Sequence, residues 1–134
     1  MPLSIKALAE NDYQDTLCGW WEAWGWPVPS KEFLPDNGTC GFMVYDKDTP
    51  VVAGFLYKTN SKAAWVDWII SNKEYRGRRK QAILLLLESF NQAAKTMGYE
   101  YTIGMTKHQN LIEHYKAAGY NPTDTNTTVL LNIL

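Results

Sequence analysis

Cysteine is scarce in this chain. Cys18 and Cys40 are the two present; they fall in different expected elements and lack the spacing of metal ligands. That excludes a disulfide framework and a cysteine-built metal site, and leaves two thiols suited to a reducing compartment. Net charge is nearly absent too: 13 Lys and Arg against 14 Asp and Glu leave a formal charge of -1. No bulk field draws such a chain onto nucleic acid or an anionic membrane, so binding of that kind would need a local patch. Long apolar runs are also missing. The longest, Ala82 to Leu87, is far too short to cross a bilayer. The opening residues MPLSIKALAEND have no long apolar core and no small-residue cleavage site, which argues against a signal peptide and for a cytoplasmic location. No internal repeat and no low-complexity segment is found.

What is present is a globular balance, with 46% apolar and 20% charged residues in 134. That length is expected to form one domain, residues 1–134, with a core that needs no staples. Leu3 to Leu8 reads as a short first strand. Asn11 or Asp12 is placed to cap a helix running to about Trp24, which Gly25, Pro27 and Pro29 stop. Ser30 to Leu34 fits one further helical turn, and Asp36-Asn37-Gly38 a tight turn. Thr39–Tyr45 and Val51–Lys58 read as a hairpin joined by the five polar or turn-forming residues Asp46 to Pro50, and Ala64–Ile70 as a third consecutive strand. Gln81 to about Met97 is a strong helix closed by Gly98; Tyr99–Met105 a strand; Asn110–Ala118 a helix closed by Gly119; and Val129–Leu134 a last short strand. The order β-α-β-β-β-α-β-α-β predicts an α/β (α+β) fold with a mixed, mostly antiparallel sheet, in which the late βαβ unit adds a parallel neighbour.

Two segments carry chemistry. Lys73-Glu74-Tyr75-Arg76-Gly77-Arg78-Arg79-Lys80-Gln81-Ala82 is basic and opens the strong helix. A helix start presents unpaired amides and the positive end of a dipole, so this is a place for an anion. Asp67 interrupts the apolar run Ala63 to Ile70, and a carboxylate there needs a partner, a solvent face or a shifted pKa. His108 and His114 lack the helical H-E-x-x-H spacing of a zinc site, so no metal is expected. Trp20 and Trp24 are four apart, on one helix face.

With these elements in this order, the chain resembles the GNAT acyltransferase superfamily. Thr49-Pro50-Val51-Val52-Ala53-Gly54-Phe55-Leu56 looks like the second hairpin strand of that family. Arg76 to Gln81 resembles its pyrophosphate-binding segment, roughly (Q/R)-x-x-G-x-(G/A), with Arg79 and Gln81 standing where small residues are expected. Asn110 to Tyr120 resembles its late helix ending Y-x-x-x-G-F, with Tyr115 and Gly119 in register and Tyr120 for the Phe.

The resemblance implies an N-acetyltransferase that moves an acetyl group from acetyl-coenzyme A to a primary amine of a small molecule or protein. It assigns the coenzyme to Ile70, Ser71, Arg76, Gly77, Arg78, Arg79, Lys80 and Gln81. Tyr115 becomes the acid beside the sulfur, Asp67 the base (Glu74 the alternative), and Trp20 and Trp24 the acceptor wall. A homodimer is compatible with it. The departures at Arg79 and Gln81 motivate the other reading, a binding module of this fold that contacts nucleic acid or a protein through its basic loop or tryptophans; of the two partners, nucleic acid is the less favoured.

Overall fold

The computed structural model describes residues 2–134. Five strands form one sheet in sequence order: β1 Ser4–Ala7, β2 Gly41–Asp46, β3 Thr49–Tyr57, β4 Ala63–Ser71 and β5 Tyr101–Gly104. The first four pair antiparallel, and β5 joins β4 in parallel. The helices are α1 Cys18–Trp24, α2 Arg79–Thr96 and α3 Gln109–Ala117. This is the expected α+β architecture with a mixed, mostly antiparallel sheet.

Each face of the sheet buries its own core. On one face Val44, Val52, Leu56, Ala64 and Val66 pack against Ala82, Ile83, Leu86, Leu87 and Phe90 of α2 and Tyr115 of α3. On the other, Met43, Ala53, Phe55 and Ile70 pack against Leu17, Trp20 and Trp21 of the α1 region and Leu34. The alternation of strand side chains divides the apolar residues between two layers. Such burial, worth about 1.5–3 kcal/mol per large side chain, holds the helices on the sheet.

The helix stops behave as glycine chemistry requires: Gly25, Gly98 and Gly119 all have positive φ. The helix that follows Asp12 opens as a wide π-type turn, Tyr13–Leu17, before α1. The Asp12 carboxylate does not cap it; it accepts from the Ala9 amide at 2.7 Å instead.

Three expectations are corrected. The β2–β3 loop is Lys47-Asp48 alone, because Asp46 pairs directly with Thr49 and Lys47 takes φ of 56°. α2 starts at Arg79, earlier than Gln81. Val129–Leu134 is not a strand. Asn121 to Thr127 line a cavity with α3 and β5 instead of extending the sheet, and strand propensity without ladder pairing makes no strand. Val129, Leu130, Leu131, Ile133 and Leu134 are instead well exposed.

Candidate functional site

β4 outruns β5. Their pairing ends at Val66 opposite Gly104, whereas β4 continues to Ser71. The sheet therefore forks at Val66, and residues 67–71 of β4 have no β5 residue beside them. Tyr115 marks the fork. Its hydroxyl donates to the Val66 carbonyl at 3.4 Å, its ring stands edge-on to Tyr120 at 4.9 Å, and it packs so closely on β5 that a Cβ at Gly104 would overlap it. Burial, with smaller contributions from the Tyr120 and Asp67 charges, holds its pKa above the usual phenol value. It therefore carries its proton at neutral pH. Tyr115 also lines a cavity of about 520 Å³ with Thr102–Gly104, Ile112 and Tyr120.

Asp67 follows the fork directly, and a bulge follows Asp67. Ala53 pairs with Ile70 but Phe55 pairs with Asp67, so β4 holds one more residue than β3 there. The extra residue is Trp68, at φ of 56°. For a bulky side chain that backbone costs about 1–2 kcal/mol. The Asp67 Oδ1 accepts the Trp68 amide at 2.7 Å and braces it. The bulge puts Trp68 on the same side as Trp65 and Asp67, where strict alternation would have turned it to α2. All three line an open groove of about 710 Å³ with Pro29, Phe33 and Tyr57, and with Leu130 and Leu131 of the last segment. Burial raises the Asp67 pKa, while the Trp68 amide partly offsets this. The Tyr57 hydroxyl is pushed up to about 12, by burial first and then by the Asp67 charge.

At the far end of β4 the chain enters the loop before α2, and polar side chains build it. Asn72 donates to the Pro50 carbonyl and accepts the Glu74 amide. The Tyr75 hydroxyl donates to Asp46 at 2.7 Å and accepts the Arg78 amide at 2.8 Å. Gly77 is needed beneath that ring, since a Cβ there would lie 2.6 Å from the Tyr75 oxygen. Arg79 turns inward: its guanidinium donates to the carbonyls of Asn72, Lys73 and Tyr75. That is how a large residue stands where a small one was expected. Arg76, Gly77, Lys80 and Gln81 are exposed. The first turn of α2 has no acidic residue and no side-chain cap, and its first intrahelical bond is from the Ala82 amide to the Arg78 carbonyl. The amides of residues 79–81 thus precede the helical ladder and suit an anion.

The tryptophans divide. Trp20 is buried at 9% exposure in the α1-side core. Trp24 donates its Nε1–H to the Ser71 carbonyl at 2.8 Å and carries Lys73 and Arg79 over its ring. Neither lines the groove; Trp65 and Trp68 of β4 do. Ile70 is buried beyond the bulge, and Ser71 ends β4. Glu74 is exposed in the loop. His108 stacks on Trp26 at 5.6 Å, and His114 is held below its ordinary pKa by burial and then by Lys80. Among the described residues no cluster of His, Cys, Asp or Glu is arranged to hold a metal, and no helix is long and apolar enough to cross a membrane.

The fold so built is that of the GNAT acetyltransferases. An aminoglycoside acetyltransferase from an uncultured soil metagenomic sample is similar over 98% of this chain and 97% of its own, with TM-score 0.70 and 15% identity. Glucosamine-6-phosphate N-acetyltransferase from Arabidopsis thaliana is similar over 98% and 100%, with TM-score 0.69 and 12% identity. A ribosomal-protein-alanine N-acetyltransferase from Brucella melitensis biovar Abortus 2308 is similar over 98% and 99%, with TM-score 0.68 and 14% identity. No protein-family model and no curated protein matches the sequence.

Proposed function

We propose that this protein is an acetyl-coenzyme A-dependent N-acetyltransferase acting on a primary amine. The observation that carries the reading is the fork in the sheet. A protonated tyrosine stands at its apex, a partly desolvated carboxylate one residue beyond, and an uncapped helix start follows the same strand. Acetyl-coenzyme A, when bound, supplies a thioester whose carbonyl carbon is attacked and whose thiolate leaves.

The amides of residues 79–81, with Arg76 and Lys80 beside them, are suited to the pyrophosphate. Gly77 keeps the loop narrow, and Arg79 acts on its shape. Asp67 accepts a proton from the attacking nitrogen, and a raised pKa makes it a better base than an ordinary carboxylate. Tyr115, at the apex of the fork, would stand beside the sulfur of a coenzyme bound there. Burial makes its proton harder to remove, so it stabilises the thiolate by donating a hydrogen bond and keeping the proton. The amine acceptors named for the similar structures agree with this chemistry.

Calorimetric titration with acetyl-coenzyme A tests the reading, with an analogue lacking the pyrophosphate as the control. Micromolar binding that the analogue loses is expected. Absence of binding at millimolar concentration would overturn it and favour a binding module of this fold.

A further inference from the structure

We propose that the groove beside Asp67 selects a primary amine carried on an apolar, ring-sized body, and disfavours amino sugars. The inference rests on the acetyltransferase reading and names the acceptor class for the same site.

Among the described residues, the groove has a single charged group. Its walls are Phe33, Tyr57, Trp65, Trp68, Leu130 and Leu131, and the charge is Asp67. A cationic amine is complementary to that carboxylate, and the indole faces add to its attraction. The remaining polar atoms are few. The Tyr57 hydroxyl already donates to the Phe33 carbonyl at 3.2 Å, and Ser30 is the other side-chain hydroxyl in the lining. A sugar placed here would give up water around several hydroxyls and find almost no partners, which is how such a surface rejects it. An aromatic or aliphatic body meets apolar walls throughout.

The walls are also preformed. Trp68 is fixed by the bulge and stands edge-on to the buried Trp21 at 6.1 Å and to Phe33 at 6.0 Å. A groove of about 710 Å³ holds a single-ring amine with room to spare. Asp67 follows Val66, whose carbonyl accepts the Tyr115 hydroxyl, so an ammonium paired with it would lie on the groove side of the strand next to the fork, with the apolar body along the groove.

The test is calorimetric titration of the full chain with phenethylamine, its uncharged isostere phenethyl alcohol, and glucosamine, each with and without coenzyme A. Phenethylamine is expected to bind at least tenfold tighter than glucosamine. Asp67→Asn should erase the advantage of phenethylamine over phenethyl alcohol. Phe33→Ala, at a side chain already half-exposed, should weaken both aromatic ligands severalfold and leave the melting temperature unchanged. Glucosamine binding as tightly as phenethylamine, no binding of phenethylamine, or indifference to Asp67→Asn would each overturn the proposal. If phenethylamine shows the expected selectivity but is not acetylated with acetyl-coenzyme A, the transfer reading fails and the groove's preference stands.

Discussion

Tyr115 is held by its ring. The ring is 6% exposed, packed on Gly104 and edge-on to Tyr120, while its hydroxyl makes one long bond to Val66. Stability and turnover should therefore separate at this residue. Tyr115→Phe is expected to shift the melting temperature little and to leave coenzyme affinity nearly intact, while kcat falls about 100-fold. Steady-state kinetics beside a thermal melt checks both halves. Asp67 separates them in the opposite sense. Burial raises its carboxyl pKa above the unfolded value, so its contribution to stability is present at low pH and is lost as pH rises through the folded pKa. Asp67→Asn keeps the acceptor oxygen for the Trp68 amide. It should thus melt at or above the parent temperature at pH 8, with the difference shrinking at acid pH, while turnover drops at least tenfold. Melts at two pH values with parallel rate measurements decide it.

Among the elements, the loop between β4 and α2 depends most on one side chain. Arg79 satisfies three carbonyls in the turn from Asn72 to Tyr75. Removing a charged donor from them costs about 1.5–3 kcal/mol. Arg79→Met should lower stability by that amount in urea denaturation and weaken acetyl-coenzyme A binding through the loop, with no loss of helix content by circular dichroism.

This loop also marks where reading the sequence stops. Its basic run and its helix start are local signals and could be read directly, as could the glycine stops and the β2–β3 hairpin. The inward turn of Arg79 depends on carbonyls up to seven residues away and has no local signature. The bulge at Trp68 was hidden for a related reason: Ala64 to Ile70 reads as a single strand, with no glycine to announce a left-handed residue. Without the bulge, no local signal turns Trp68 to the groove beside Trp65, and the i, i+4 spacing that offered Trp20 as a wall does not tell a core face from a binding one.

Taken as a whole molecule, the chain divides into a packed body and a last segment that contributes almost nothing to that packing. Val129, Leu130, Leu131, Ile133 and Leu134 are 71–110% exposed, although their composition alone suggested a strand. A variant ending at Thr128 should melt within about 1–2 °C of the full chain, since little apolar area leaves the core. It should lose part of its affinity for phenethylamine, because Leu130 and Leu131 supply one wall of the groove. Thermal melts and titration of the two forms compare these directly.

Trp24 has a use beyond fastening α1 to the end of β4. Its indole N–H is committed to the Ser71 carbonyl, and Lys73 and Arg79 lie over its ring. An anion that draws Lys73 off the ring changes the field around the indole, and with it the colour and yield of its emission. The protein thus carries an intrinsic optical reporter beside the loop that opens α2, readable without a label once the other tryptophans are silenced.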